Sequence, residues 1–216
     1  ILSGFFVSAW RLSAVDNWGT PQGIEFCSQV YDKYFSFCIL SSSLLIAFNK
    51  FIATIFLGRE FYSAWQYMPI LIIAVMFHGF CEFFGTIYTT AKKTHMLLYS
   101  SLLGAAVQIV CGWILVAKFS IWGAALSMML SYFVTFLFRM IHSSTIIRLN
   151  INAKKQYLQL IALLLQVCVA SIAVEYSIYL SVAVCVLLML INTAFIKDVL
   201  FVMCKKLRSY IRYIPL

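Results

Sequence analysis

The chemistry open to this chain rests on a few polar side chains set inside long apolar stretches. Glu82 lies between Phe80-Cys81 and Phe83-Phe84, with His78 one helical turn before it and Thr86 one turn after. With Thr89 these residues fall at i, i+4, i+8 and i+11, one face of a helix, while Phe77, Phe80, Phe84 and Ile87 take the opposite side. A carboxyl surrounded by apolar groups is costly unless protonated or paired, and a histidine one turn away is a natural partner. Such a group can exchange charge; its alternative role is an internal polar clamp. Two further stripes have the same form: Ser43, Ala47, Lys50 and Thr54, with Asn49 beside them, and Ser101, Ala105, Gln108 and Gly112. Three neighbouring polar faces point to a shared hydrated cavity lined by Lys50, Asn49, His78, Glu82, Thr86 and Gln108. Lys50 either faces that cavity or snorkels toward the nearer membrane surface, about 12 Å of helix away at Gly58. Gln108 is either a pathway residue or an interhelical hydrogen-bond partner. Gly123, Ser127 and Ser131 read as close helix packing.

The elements that must carry these residues are apolar helices. Six stretches, 34–57, 68–91, 96–117, 121–141, 157–174 and 178–196, each approach the roughly 20 residues needed to cross a 30 Å hydrocarbon core. A hydrophobic content of 63% with 11% charged residues excludes an ordinary soluble domain. The expected fold class is therefore an all-α integral membrane protein of about six transmembrane helices. Pro69 suits the first turn of the second span, where its missing N–H costs little. Trp65, Tyr67, Trp113, Trp122 and Tyr176 at one set of span ends, and Tyr34 at the other, read as interfacial anchors.

The formal charge of +9 is distributed by side. Arg11 and Lys33 flank the first inside loop, Lys92-Lys93 occupy the second, and Arg139, Arg148, Lys154 and Lys155 fall at the third. Lys197, Lys205, Lys206, Arg208 and Arg212 follow the last span, whereas only Arg59 and Lys118 lie at outside junctions. This asymmetry is that of cytoplasmic loops, so the C-terminus is expected on the cytoplasmic side and nucleic acid is not an expected partner. The basic tail 205–216 is read as an anchor on anionic lipid, with docking to an acidic partner as the alternative.

Seven scattered cysteines, odd in number and without a Cys-x-x-Cys pair, read as small packing residues. Three dispersed histidines give no metal cluster, and no cofactor or catalytic constellation is expected. Residues 1–10 read as the end of a truncated helix and 11–33 as a cytoplasmic linker with a short interfacial helix. Residues 34–148 then form a four-helix core and 149–204 two further helices.

Several motifs resemble the C-terminal half of polysaccharide biosynthesis flippases. They are Ala64-Trp65 through Met68-Pro69-Ile70-Leu71-Ile72, Phe83-Phe84-Gly85, Ala91-Lys92-Lys93-Thr94, Lys118 through Leu126, and Ser131-Tyr132 followed by Arg139. The stretch Phe119-Ser120-Ile121-Trp122-Gly123-Ala124-Ala125 is similar to that family's Phe-Gly-Ile-x-Gly-Ala-Ala. The likeness covers roughly residues 1–148 and is to Wzx-type O-antigen flippases of the multidrug/oligosaccharidyl-lipid/polysaccharide (MOP) exporter superfamily. Ser120 departs from the usual Gly, and Gln108 and Gly112 stand where Asn is frequent.

The resemblance implies a two-lobe transporter in the bacterial cytoplasmic membrane, with this chain supplying most of the C-terminal lobe. It implies translocation of an undecaprenyl-diphosphate-linked oligosaccharide, such as an O-antigen repeat unit, by alternating access. Lys50 would compensate a diphosphate or acidic sugar, and Glu82 with His78 would couple the cycle to an ion gradient. Membrane lipids and lipid-linked oligosaccharide are then the partners, with other polysaccharide-assembly membrane proteins as further candidates. A drug or metabolite exporter of the same superfamily is the nearest alternative. A membrane polymerase or ligase is the alternative from another class, disfavoured by short loops that carry no Asp-x-Asp and no Ser/His/Asp cluster.

Overall fold

The computed structural model describes residues 20–171, 177–193, 195–198 and 201. The expected truncated helix at 1–10, residues 11–19 of the expected linker, the expected anchor Tyr176 and the basic tail lie outside the described residues. Every regular element within them is helical: α1 (Pro21–Ala47), α2 (Asn49–Phe56), a 3₁₀ segment (Arg59–Gln66), α3 (Met68–Thr90), α4 (Thr94–Ser143), α5 (Ala153–Ser171) and α6 (Ser177–Ile191). α3 and α4 are each long and apolar enough to cross a membrane, and α1 with α2 makes a third candidate if that bent pair is one span. α6, at 15 residues, is shorter than a span.

α1 starts earlier than the charge pattern predicts. Thr20 accepts the Gly23 N–H at 3.0 Å and Pro21 opens the first turn, so the helix is capped at 20 and runs unbroken through the expected linker to Ala47. It then ends, because Asn49 Oδ1 takes the Lys50 N–H at 2.7 Å in place of a helical carbonyl. α2 leaves at 69° to α1, so the expected straight span 34–57 is two helices.

α4 is a hairpin. Ser120, at φ 48° and ψ −121°, interrupts its 50 residues, and the arms 94–119 and 121–143 fold back on each other. Ser131 Oγ donates to the Gly104 carbonyl at 2.8 Å and Gln108 Nε2 to Ser127 Oγ at 3.1 Å, which fixes their antiparallel register. Near the turn a Cβ on Gly123 would strike the Leu115 carbonyl, so the backbones touch where only glycine fits.

α3 is the central helix. One side carries Phe77, Phe80, Phe83 and Phe84 into an aromatic seam with Tyr31, Tyr34 and Phe35 of α1 and Phe136 of α4. Phe35 stacks on Phe80 with centroids 5.0 Å apart, and Tyr34 on Phe83 at 5.8 Å. Tyr34 is thus a core residue rather than the expected interfacial anchor. α4 packs on the bundle mainly through α3, while α5 and α6 pack on α1 and each other.

Polar groups in this second sub-bundle meet in pairs. Ser43 Oγ donates to Gln166 Oε1 at 2.7 Å, and Gln166 Nε2 returns to the carbonyls of Ser43 and Ser181 at 3.0 and 3.1 Å. Gln159 Nε2 donates to Asn192 Oδ1 at 2.8 Å. The periphery is apolar: Leu98, Leu102, Ile109 and Trp113 on α4, and Leu158, Ile161 and Leu165 on α5, are exposed. Apolar outside with paired polar groups inside is the pattern a lipid solvent imposes.

The left-handed φ at Ser120 leads to the first prediction. Glycine adopts that conformation without a Cβ penalty, so Ser120→Gly should stabilise the hairpin by about 1 kcal/mol. Thermal unfolding in detergent should show a raised midpoint, whereas Ser120→Val should lower it.

Candidate functional site

Between α3 and the two arms of α4 lies a pocket of about 440 Å³, bordered by His78 and Glu82 from α3, Ser101 and Gln108 from the first arm, and Ser131, Tyr132, Thr135 and Arg139 from the second. The helices deliver these residues by repeat: His78 and Glu82 are one turn apart, and Ser131, Thr135 and Arg139 follow at four-residue steps along the facing arm. Glu82 and Gln108 are half-buried and His78 is exposed at the rim.

Arg139 anchors one end. It is 4% exposed, and its guanidinium donates from Nε to Ser100 Oγ at 2.9 Å, from Nη1 to the Cys81 carbonyl at 2.7 Å and from Nη2 to Ser101 Oγ at 3.0 Å. Tyr88 donates to the Arg139 carbonyl at 3.3 Å, tying α3 to the same turn. Gly85 makes room, since a Cβ there would come within 3.1 Å of Arg139 Nη1 and of Leu97 Cδ1. All three acceptors, two hydroxyls and a backbone carbonyl, are neutral. Among the described residues the one ion pair is Lys33–Asp198, at 3.1 Å and well exposed, so Arg139 and Glu82 share a pocket without forming a salt bridge.

The six sequence-predicted residues divide. His78, Glu82 and Gln108 border the pocket together. His78 does not pair with Glu82; its ring lies edge-on to Tyr132 with centroids 4.9 Å apart. Gln108 also serves as the interhelical partner of Ser127. Thr86 is fully buried in the packing of α3, its hydroxyl donating back to the Glu82 carbonyl at 3.0 Å, and it does not border the pocket. Asn49 and Lys50 lie at the α1–α2 bend instead. Asn49 Nδ2 donates to the Trp65 carbonyl at 3.1 Å, and Lys50 Nζ stands 4.6 Å from the Trp65 ring centroid. The expected cavity shared by three spans is therefore formed by α3 and the α4 hairpin. The bend at Phe48 turns Lys50 and Thr54 out of line with Ser43, which faces Gln166.

Sequence reasoning assigned Arg139 to a membrane junction. The signal for its burial was present, because it falls inside the stretch 121–141, where the rule applied to Glu82 also holds. Ser100 and Ser101 carried no such signal, since serine is ordinary in apolar helices.

No protein-family model matches the chain, and neither a curated protein nor a solved structure matches it.

The fork at Arg139 makes a test. A lysine there keeps the charge but cannot reach Ser100, Ser101 and the Cys81 carbonyl together, so Arg139→Lys should destabilise by about 2–3 kcal/mol. Chemical denaturation in micelles measures this, and an unchanged midpoint would show the fork to be dispensable.

Proposed function

We propose that this chain is part of a transporter that moves an undecaprenyl-diphosphate-linked oligosaccharide across the bacterial cytoplasmic membrane by alternating access. The observation that carries the reading is the polar pocket between α3 and the α4 hairpin, in a bundle whose outer surface is apolar. A second observation supports the resemblance: the backbone at Ser120 has the positive φ that glycine adopts most readily, at the place where the flippase motif usually carries Gly. On this reading α1, α3, the two arms of α4, α5 and the segment begun by α6 are six membrane-crossing segments of one lobe, and the C-terminus is cytoplasmic.

The pocket chemistry is recognition and charge exchange. The hydroxyls of Ser101 and Ser131 and the Gln108 amide can trade their interhelical hydrogen bonds for sugar hydroxyls. The lipid tail meanwhile stays in the bilayer. Arg139, not Lys50, is the cation beside this pocket and the group that would meet a diphosphate or acidic sugar. Glu82, the carboxyl that borders the pocket, is the group that would exchange a proton or sodium ion with the gradient. No covalent bond is made or broken, so the protein is a transporter and not an enzyme.

Glu82→Gln fixes that side chain in a neutral form. Gradient-driven translocation into vesicles should fall by about tenfold and lose its response to the ion gradient. Normal transport by this variant at every pH and ion gradient would end the coupling role. Cells lacking the gene test the cargo. Lipid-linked glycan accumulating toward the cytoplasm supports the reading. Unpolymerised glycan in the outer leaflet favours an assembly enzyme, and no change in either favours an exporter.

A further inference from the structure

The α1–α2 bend raises the question of where α2 lies. α1 alone has 27 residues, about 40 Å of helix, which exceeds a hydrocarbon core of about 30 Å. α1 runs antiparallel to α3, with Tyr31 against Phe84, Tyr34 against Phe80, and Leu45 in the same groove as Met68 and Leu71. The last turn of α1 is therefore level with the first turn of α3, at one face of the bundle. The hairpin turn reaches this level too, since Trp122 lies edge-on to Tyr67 with centroids 5.0 Å apart. α2 departs from this level at 69°, and Asn49 pins it to the 3₁₀ segment through the Trp65 carbonyl.

The surface of this elbow is two-sided. Asn49 and Ala53 are buried, Ala53 completely. Phe51, Ile55, Phe56 and Phe61 are exposed, Phe56 by 79%, and they continue the exposed apolar run of Leu44 and Leu45 on α1 and Phe48 at the bend. Lys50, half-buried, stands over the ring of the buried Trp65 in the same elbow, a cation of the kind attracted to lipid phosphates.

We propose that α2 and the 3₁₀ segment form a platform lying in the headgroup–acyl boundary of the membrane face at which α3 begins, with glycerophospholipid as its occupant. The exposed phenylalanines and Ile55 sink into the upper acyl region while Lys50 stays at phosphate level. A re-entrant dip toward the bilayer centre would carry Lys50 away from phosphate, and a water-facing elbow would leave four large apolar side chains in water. The platform rests on the membrane-spanning reading of the bundle and is independent of the cargo.

The test places trifluoromethylphenylalanine at Phe56 and, separately, at Val75, which is exposed on α3 below its first turns. Phe61 serves as the second platform site if the first label disturbs folding. The protein is reconstituted in phosphatidylethanolamine/phosphatidylglycerol nanodiscs, and fluorine linewidths are read with lipids carrying a headgroup lanthanide or a mid-chain nitroxide. The lanthanide should broaden the Phe56 label at least about threefold more than the Val75 label, and the nitroxide should reverse that order. Stronger nitroxide broadening at Phe56 than at Val75 would overturn the platform in favour of a re-entrant dip. A Phe56 label untouched by both lipids while Val75 responds would overturn it in favour of water or a protein partner. If neither position responds to either lipid, the membrane reading falls and the platform with it.

Discussion

A guanidinium held away from water constrains this bundle more than any other single group. Lipid offers Arg139 no acceptor, so the protein must supply acceptors at the right distances from two helices at once. That demand sets the register of α3 against the first arm of α4, requires small residues at Ser100 and Ser101, and leaves only a tight fit for a Cβ at Gly85. It also takes the Cys81 carbonyl as an acceptor, a group already committed to the helix ladder. The pocket borders this fork, so the same spacing that satisfies Arg139 also shapes one end of it.

The remaining buried polar groups follow the same rule by less costly means. Gln166 and Gln159 bridge helices with neutral amides, and many serines and threonines return to a carbonyl three or four residues back. These bonds add little cohesion individually, since an unfolded helix in lipid finds local partners as well. Their value is in register: Gln166 meets Ser43 and Ser181 only in one alignment of α1, α5 and α6. Dispersion between rings supplies the attraction that water would otherwise provide.

The second predicted stretch, 68–91, is the helix Met68–Thr90, and the third and fourth fall within the arms 94–119 and 121–143 of the hairpin. Apolar runs bounded by Lys92-Lys93 and Ser120 carry their own limits, which is why these were legible. The first stretch was not, because its interruption depends on Asn49 Oδ1 taking a neighbouring N–H, whereas Asn49 and Lys50 fit equally well on one polar face of an unbroken helix. Tyr34 was misread for a related reason: whether an aromatic ring faces a headgroup or Phe83 depends on the neighbouring helix. At the site, Glu82, His78 and Gln108 were found by charge and periodicity. Asn49 and Lys50 were grouped with them only through a straight helix that does not exist.

The two sides of α3 are bonded differently. Toward α4 the contact is fastened by the Arg139 fork and by Tyr88, directional bonds that fail if either helix shifts by a fraction of a turn. Toward α1 it is built from stacked and tilted rings, whose attraction changes little as one slides past another. The Arg139 fork and Tyr88 thus add to the α3–hairpin contact, which also has rings of its own at Phe133 and Phe136, a directional lock that sets how far along each other those two helices can sit.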